Sequence, residues 1–136
     1  MNKTKYDNLF IDICDKYSEM SYAKRKKVGA VIVKENTIVS DGYNGTPVGF
    51  DNNCEDDEGK THWYVLHAEA NAITKMARSN TSCEDATLYV TLSPCKECSK
   101  LIIQSGIKRV VYREKYKDTS GINFLGNFNV ECIQID

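Results

Sequence analysis

Residues 86–98 read ATLYVTLSPCKEC, and this stretch decides the fold. Ala86 to Thr91 has the β-branched and aromatic composition of a strand. Ser93-Pro94 then opens a helix, because serine is a good N-cap and proline suits the first helical position. Along that helix Cys98, Leu101, Ile102 and Ser105 share a face, and Gly106 supplies its stop. Arg109 to Tyr112 is a further short strand. Strand, helix and strand in that order are the ingredients of a parallel crossover.

Working outward, His67 to Arg78 has helix-forming composition with Ala70, Ile73 and Ala77 on one face. Tyr6, Leu9, Phe10, Ile13, Cys14, Tyr17 and Met20 recur at helical intervals and predict a first amphipathic helix. Val28 to Val33 is a continuous small and β-branched run, and Ile38 to Tyr43 is its partner. The polar link Lys34-Glu35-Asn36-Thr37 makes the pair a hairpin. Phe50 to Thr61 is acidic and rich in Gly and Asn, which reads as a surface loop carrying Cys54 or a flap over a site. After a polar, glycine-containing segment, Val130 to Ile135 is a last strand. The alternation predicts one α/β layered domain over residues 1–136, with a hairpin first and parallel crossovers later.

The 136 residues are 41% hydrophobic and 27% charged, the balance of a soluble globular domain. A net charge of −1 offers no electrostatic reason to expect nucleic acid or an anionic membrane as partner. No apolar run approaches the roughly twenty residues of a membrane span. The N-terminal residues lack the basic-then-apolar order of a signal peptide. A cytoplasmic location is expected, where cysteines stay reduced. The six cysteines therefore point to metal or catalysis before disulfides. The basic run Lys24-Arg25-Lys26-Lys27 reads as a solvated loop, or as the source of a cation, with Arg25 the candidate, that meets a substrate phosphate.

The strongest chemical signal is His67-Ala68-Glu69 with Pro94-Cys95-Lys96-Glu97-Cys98. Zinc favours thiolate and imidazole ligands in tetrahedral geometry. Cys95 and Cys98, three apart at a helix start, project to one side, and the helix N-terminus favours their thiolate forms. His67 begins the other helix, so one His and two Cys can converge. Three protein ligands leave a fourth position open, which separates a catalytic from a structural zinc. Glu69, in the same first turn as His67, can reach a water there without being a ligand. A redox CxxC pair or a closed four-ligand zinc site, drawing on Cys54, His62 or Cys83, leaves the His-x-Glu without a task.

At these residues the chain resembles the cytidine and deoxycytidylate deaminase superfamily, and within it the deoxycytidylate branch. The similarity runs through VGAVIV (28–33), GYNGTP (42–47), HAEANAI (67–73), ATLYVTLSPCKEC (86–98) and SGIKRVVY (105–112). The resemblance implies a three-layer α/β/α fold with a five-stranded mixed sheet. It implies His67, Cys95 and Cys98 as ligands of one catalytic Zn2+ and Glu69 as proton shuttle. It places Asn44 at the sugar hydroxyl, the backbone N–H of Ala68 at the base carbonyl oxygen, and Tyr116 near the nucleotide. The reaction it implies is deamination of dCMP to dUMP, a thymidylate precursor. It further implies a homo-oligomer, with dCTP and dTTP as effectors at the loop of Gly42, Tyr43 and Gly45.

One departure is visible. Relatives that bind a second, structural zinc carry a cysteine just before the basic stretch, where this chain has Ser21-Tyr22-Ala23. A second zinc is not expected, and Cys54 and His62 read as a loop cysteine and a surface histidine. The alternatives are a deaminase of another cytosine nucleotide (dCTP or 5-substituted dCMP), a tRNA adenosine deaminase, and a noncatalytic zinc-stabilised interaction domain. The net charge and the acidic 51–58 stretch disfavour the tRNA enzyme.

Overall fold

Side chains that alternate across a strand must satisfy two different layers, and the central strands here do so. The computed structural model describes residues 3–136. Its elements are α1 (Lys3–Ser18), β1 (Gly29–Lys34), β2 (Thr37–Tyr43), α2 (Ala68–Ala77), β3 (Thr87–Leu92), α3 (Lys96–Ser105), β4 (Arg109–Glu114), α4 (Ser120–Gly126) and β5 (Glu131–Gln134). The strands form one sheet in the order β2-β1-β3-β4-β5. β1 is antiparallel to β2 and β3, while β3, β4 and β5 run parallel. This is the expected five-stranded mixed sheet with its opening hairpin.

On β1, Ala30 and Ile32 join one core with Leu88, Val90 and Val110, and Val31 and Val33 join the other with Tyr89 and Val111. The first core is roofed by α2, α3 and α4 through Ala72, Ile102 and Leu125, and the second by α1 through Phe10, Ile11 and Cys14. The architecture is α/β/α, with α1 alone on its face. The hairpin closes in two residues, Glu35 at φ 51° and Asn36 at φ 62°. That is the left-handed pair a type I′ turn needs, and its twist matches the strands.

One polar network fastens α1 to the sheet. Arg109 donates to both carboxylate oxygens of Asp7, at 2.8 and 2.6 Å, and the Tyr89 hydroxyl donates to Asp7 Oδ1 at 2.6 Å. Burial alone would raise the Asp7 carboxyl, but the Arg109 and Tyr89 hydrogen bonds outweigh it and hold it below its ordinary value.

Four local expectations are corrected. The third helix begins at Lys96 with Cys95 as N-cap, two residues after Ser93. The Ser93 hydroxyl instead accepts the Tyr116 backbone N–H at 2.7 Å. Leu101 is exposed, and the buried face of α3 is Cys98, Ser99 and Ile102. α2 buries Ala68, Ala72 and Met76 rather than Ala70 and Ala77. Its small residues lie against Gly42 of β2, where a Cβ would sit 2.6 Å from the Ala68 carbonyl oxygen and 2.8 Å from the Ala72 nitrogen. Finally, the segment before the last strand contains α4. Gly106 does end α3, at φ 89°.

Candidate active site

Two helix starts meet beyond the end of β3. His67 is the N-cap of α2 and Cys95 the N-cap of α3, both with extended backbone and neither using its side chain as a cap. Freed from capping, the two side chains reach across the gap between the helices. Cys98, one turn into α3, points the same way as Cys95. The His67 Nδ1 lies 3.5 Å from the Cys95 Sγ and 3.3 Å from the Cys98 Sγ. All three donor atoms fall within 4.8 Å of one another. Tetrahedral zinc at ordinary Zn–S and Zn–N lengths spaces sulfur and nitrogen by roughly 3.5 Å. One nitrogen and two sulfurs at this spacing fit zinc in size and in chemical softness.

The electrostatics suit a cation. The Cys95 thiol is held down at about 3, first by the hydrogen bond from Cys98 and then by His67, against the opposing effect of burial. Cys98 is pushed up by the same hydrogen bond and by burial. The hydrogen bond to Cys95 raises His67. Glu69, two residues on, is 4% exposed. Burial pushes its carboxyl up to about 7, opposed by a backbone hydrogen bond and by His67.

His67, Glu69 and Cys95 wall a cavity of about 280 Å³, close to the low end, roughly 300 Å³, of ordinary small-ligand sites. The cavity also takes in Asn44, Ala68, Tyr116 and Arg25, so every expected substrate-contact residue lies on its wall. Asn44 is immobilised: its Oδ1 accepts the Val28 N–H at 2.9 Å and its Nδ2 donates to the Lys26 carbonyl at 2.8 Å. Ser21 donates its hydroxyl to the Asn44 carbonyl at 2.7 Å.

The residues of the expected effector loop lie outside this cavity. Gly42 is buried in β2 against α2, and Gly45 pairs with Leu66 in an isolated bridge. Neither they nor Tyr43 line the cavity. Cys54 is not a surface cysteine, being 2% exposed and part of the cavity wall, because the 50–61 loop turns back on itself through the Glu55–Thr61 bridge. That loop behaves as the flap. His62 is half-buried, its ring stacked on Tyr64 at 4.8 Å.

Two residues of the site escaped sequence reasoning. Glu55 is buried in the flap and accepts the backbone N–H groups of Lys24 and Arg25 at 2.9 and 3.1 Å. An acid within a run of four, Glu55-Asp56-Asp57-Glu58, carries no sign of burial in a single sequence. Gly121 of α4 abuts the ligand-bearing turn: a Cβ there would lie 2.3 Å from the Pro94 carbonyl oxygen and 2.8 Å from the Cys95 carbonyl carbon.

A His/Cys/Cys set beside a buried carboxyl, on an α/β/α frame, defines a zinc-dependent hydrolase of the deaminase class. The family described as the cytidine and deoxycytidylate deaminase zinc-binding region matches residues 4–114. The chain belongs to this family. It is 43% identical to the dCMP deaminase of cyanophage S-TIM5, solved in complex with dCMP and dUMP, with a TM-score of 0.96 over 99% of this chain and 100% of that one. It is 40% identical to the deoxycytidylate deaminase of Enterobacteria phage T4, across 80% of this chain and 79% of the relative. A probable deoxycytidylate deaminase of Caenorhabditis elegans is 44% identical, with 77% of this chain spanning 55% of that protein.

Proposed function

We propose that this protein hydrolyses dCMP to dUMP and ammonia. The observation that carries the reading is the shared cavity: His67, Cys95 and Glu69 lie on the same wall surface as Asn44, Arg25 and Tyr116. His67, Cys95 and Cys98 would hold the zinc. When bound, the metal supplies a Lewis acid that activates a water molecule for attack on C4 of cytosine.

The chain's own groups do the rest. The backbone N–H of Ala68, in the first turn of α2, holds the base carbonyl oxygen. Glu69 takes a proton from water and delivers it to N3, then passes a proton to the exocyclic nitrogen so that ammonia can leave. Its raised proton affinity, set by burial, matches a group that must both accept and donate near neutrality. Asn44, fixed by Val28 and Lys26, keeps one lone pair and one N–H for the sugar. Arg25 is the candidate for the substrate phosphate, and Tyr116, on the same cavity wall, lies near the nucleotide.

The test is ammonia release from dCMP, CMP, dCTP, 5-methyl-dCMP, deoxycytidine and an adenosine-bearing RNA hairpin. The expected result is the highest kcat/KM on dCMP; preference for dCTP, the 5-substituted nucleotide or the hairpin overturns the assignment. Repeating the dCMP assay with dCTP or dTTP tests the proposed effectors. Sedimentation tests the proposed homo-oligomer. Among the described residues no helix is long and apolar enough to cross a membrane.

A further inference from the structure

The Glu55 carboxylate is oddly placed for a structural group. Its Oε2 gathers two consecutive backbone N–H groups, those of Lys24 and Arg25, at 2.9 and 3.1 Å. Its Oε1 is shielded from solvent and has no hydrogen-bond partner among the described residues. Burying an anion with half its acceptor capacity unmet costs stability. Groups kept at such a cost concentrate where they serve a site, and Glu55 lines the same cavity as Arg25, Lys26 and Asn44.

The geometry also links the flap to the basic run. Glu55 sits on the 50–61 loop, which closes through the Glu55–Thr61 bridge and the hydrogen bond from His62 N–H to the Cys54 carbonyl at 2.8 Å. Residues 21–27 belong to the connection between α1 and β1, with no regular structure of their own. The Ser21 and Asn44 hydrogen bonds brace that connection on either side. At Lys24 and Arg25 themselves, Glu55 is the group that receives the backbone. Releasing those two N–H groups frees the φ and ψ angles that set where Arg25 stands on the cavity wall.

We infer that Glu55 is a positioning residue, fixing the backbone at Lys24 and Arg25 so that Arg25 meets the phosphate of the nucleotide. This rests on the reading of the cavity as a deoxycytidine monophosphate site. The carboxylate need not touch the substrate. It converts a flexible run of cations into one directed donor and spares the nucleotide the entropic cost of ordering it.

The experiment compares Glu55→Ala, Glu55→Gln, Arg25→Gln and the double variant Glu55→Ala/Arg25→Gln. Steady-state kinetics are measured on dCMP, and kcat/KM on deoxycytidine, which lacks the phosphate, at high enzyme concentration. Glu55→Ala is expected to raise KM for dCMP about tenfold, the effect of losing a buried hydrogen-bonded anchor, with the smaller part of the loss in kcat. The change on deoxycytidine should be several-fold smaller. Glu55→Gln keeps an acceptor for both N–H groups and should restore most of the dCMP KM. Its melting temperature should equal or exceed that of the parent, because the unmet charge is gone. The double variant should be no worse on dCMP than Arg25→Gln alone, since both changes act through one side chain.

Equal losses on both substrates for Glu55→Ala, or fully additive losses in the double variant, overturn the inference while leaving the substrate assignment standing. If Arg25→Gln has the same effect on dCMP as on deoxycytidine, the phosphate contact itself is wrong, and the role of Glu55 falls with it.

Discussion

Two glycines on the seven-residue helix α4 should respond to alanine in opposite directions. At Gly121 a Cβ would lie 2.3 Å from the Pro94 carbonyl oxygen and 2.8 Å from both the carbonyl carbon and oxygen of Cys95. These are backbone atoms of the turn that delivers a metal ligand, so no flexible side chain can give way. Either α4 retreats by about 1 Å, loosening Leu125 from the core, or the Cys95 turn moves. Overpacking of this kind costs about 1–3 kcal/mol. Expressed wholly at the ligand turn, that is roughly 5- to 150-fold in zinc affinity, the range typical of changes to groups that orient metal ligands. At Gly126, on the same helix, a Cβ meets nothing within 4 Å. Alanine there should stabilise the fold by up to about 1 kcal/mol through reduced freedom of the unfolded chain. The assay is zinc competition against a chromophoric chelator, with melting curves of the metal-free proteins alongside. Gly121→Ala should weaken zinc binding several-fold or more, and Gly126→Ala should leave it unchanged. A Gly121→Ala protein whose zinc affinity and melting temperature both match the parent would refute the argument that α4 buttresses the ligand turn.

Glu69→Gln should retain stoichiometric zinc and lose about a thousandfold or more in kcat, combining the general acid and base contributions of one group; near-parental turnover with full zinc content would remove Glu69 from the mechanism. Cys95→Ala should abolish tight zinc binding, checked by metal analysis after dialysis, and stoichiometric retention would break the ligand set. Asp7→Ala, which removes the shared acceptor of Arg109 and Tyr89 and leaves Arg109 its exposed Glu131 partner, should cost about 1–3 kcal/mol in a denaturant titration, and a loss under about 0.5 kcal/mol would show the network to be a bystander. The milder Asp7→Asn tests its pH dependence. Because the folded state depresses this carboxyl, its contribution is present above the unfolded value of about 3.9 and is lost as pH falls through the lower folded one. The stability gap between parent and Asp7→Asn should be full at neutral pH and close only below about pH 4.

Much of this fold was legible because the long elements carry regular periods. The α1 residues Phe10 and Cys14 and the β1 run Ala30 to Val33 are read directly from apolar spacing, and the Glu35-Asn36 turn from the polar gap between two strands, whereas the fully buried Ile11 fell outside the periodic set. The metal ligands were legible as chemistry, through residue types at fixed spacing. What escaped has physical reasons. The seven residues of α4 are shorter than the window of 11–18 over which a helical period shows itself. The helix-start rules favoured Ser93 over Cys95, since cysteine is not a preferred cap; the ligand role overrode the propensity. The buried face of α2 carries Ala68, Ala72 and Met76 rather than Ala70 and Ala77 because Gly42 lets β2 approach within reach of Ala68 and Ala72, a distance no one-dimensional pattern contains. Glu55 and Cys54 looked like loop surface because their burial comes from tertiary closure of the flap over residues 24 and 25.

The placement of ligands at both helix starts has a further consequence for the chain as a polymer. His67 and Cys95 stand 28 residues apart, and the segment between them contains all of α2 and β3. An ion held by both is a cross-link closing that loop, and it restrains the unfolded chain as a disulfide of the same span would, a restraint of about 3–4 kcal/mol in chain-entropy terms. Unlike a disulfide, it forms without an oxidant and survives in a reducing environment. With an ion bound, the same side chains would serve the protein twice, once as the seat of its chemistry and once as a staple between α2 and α3.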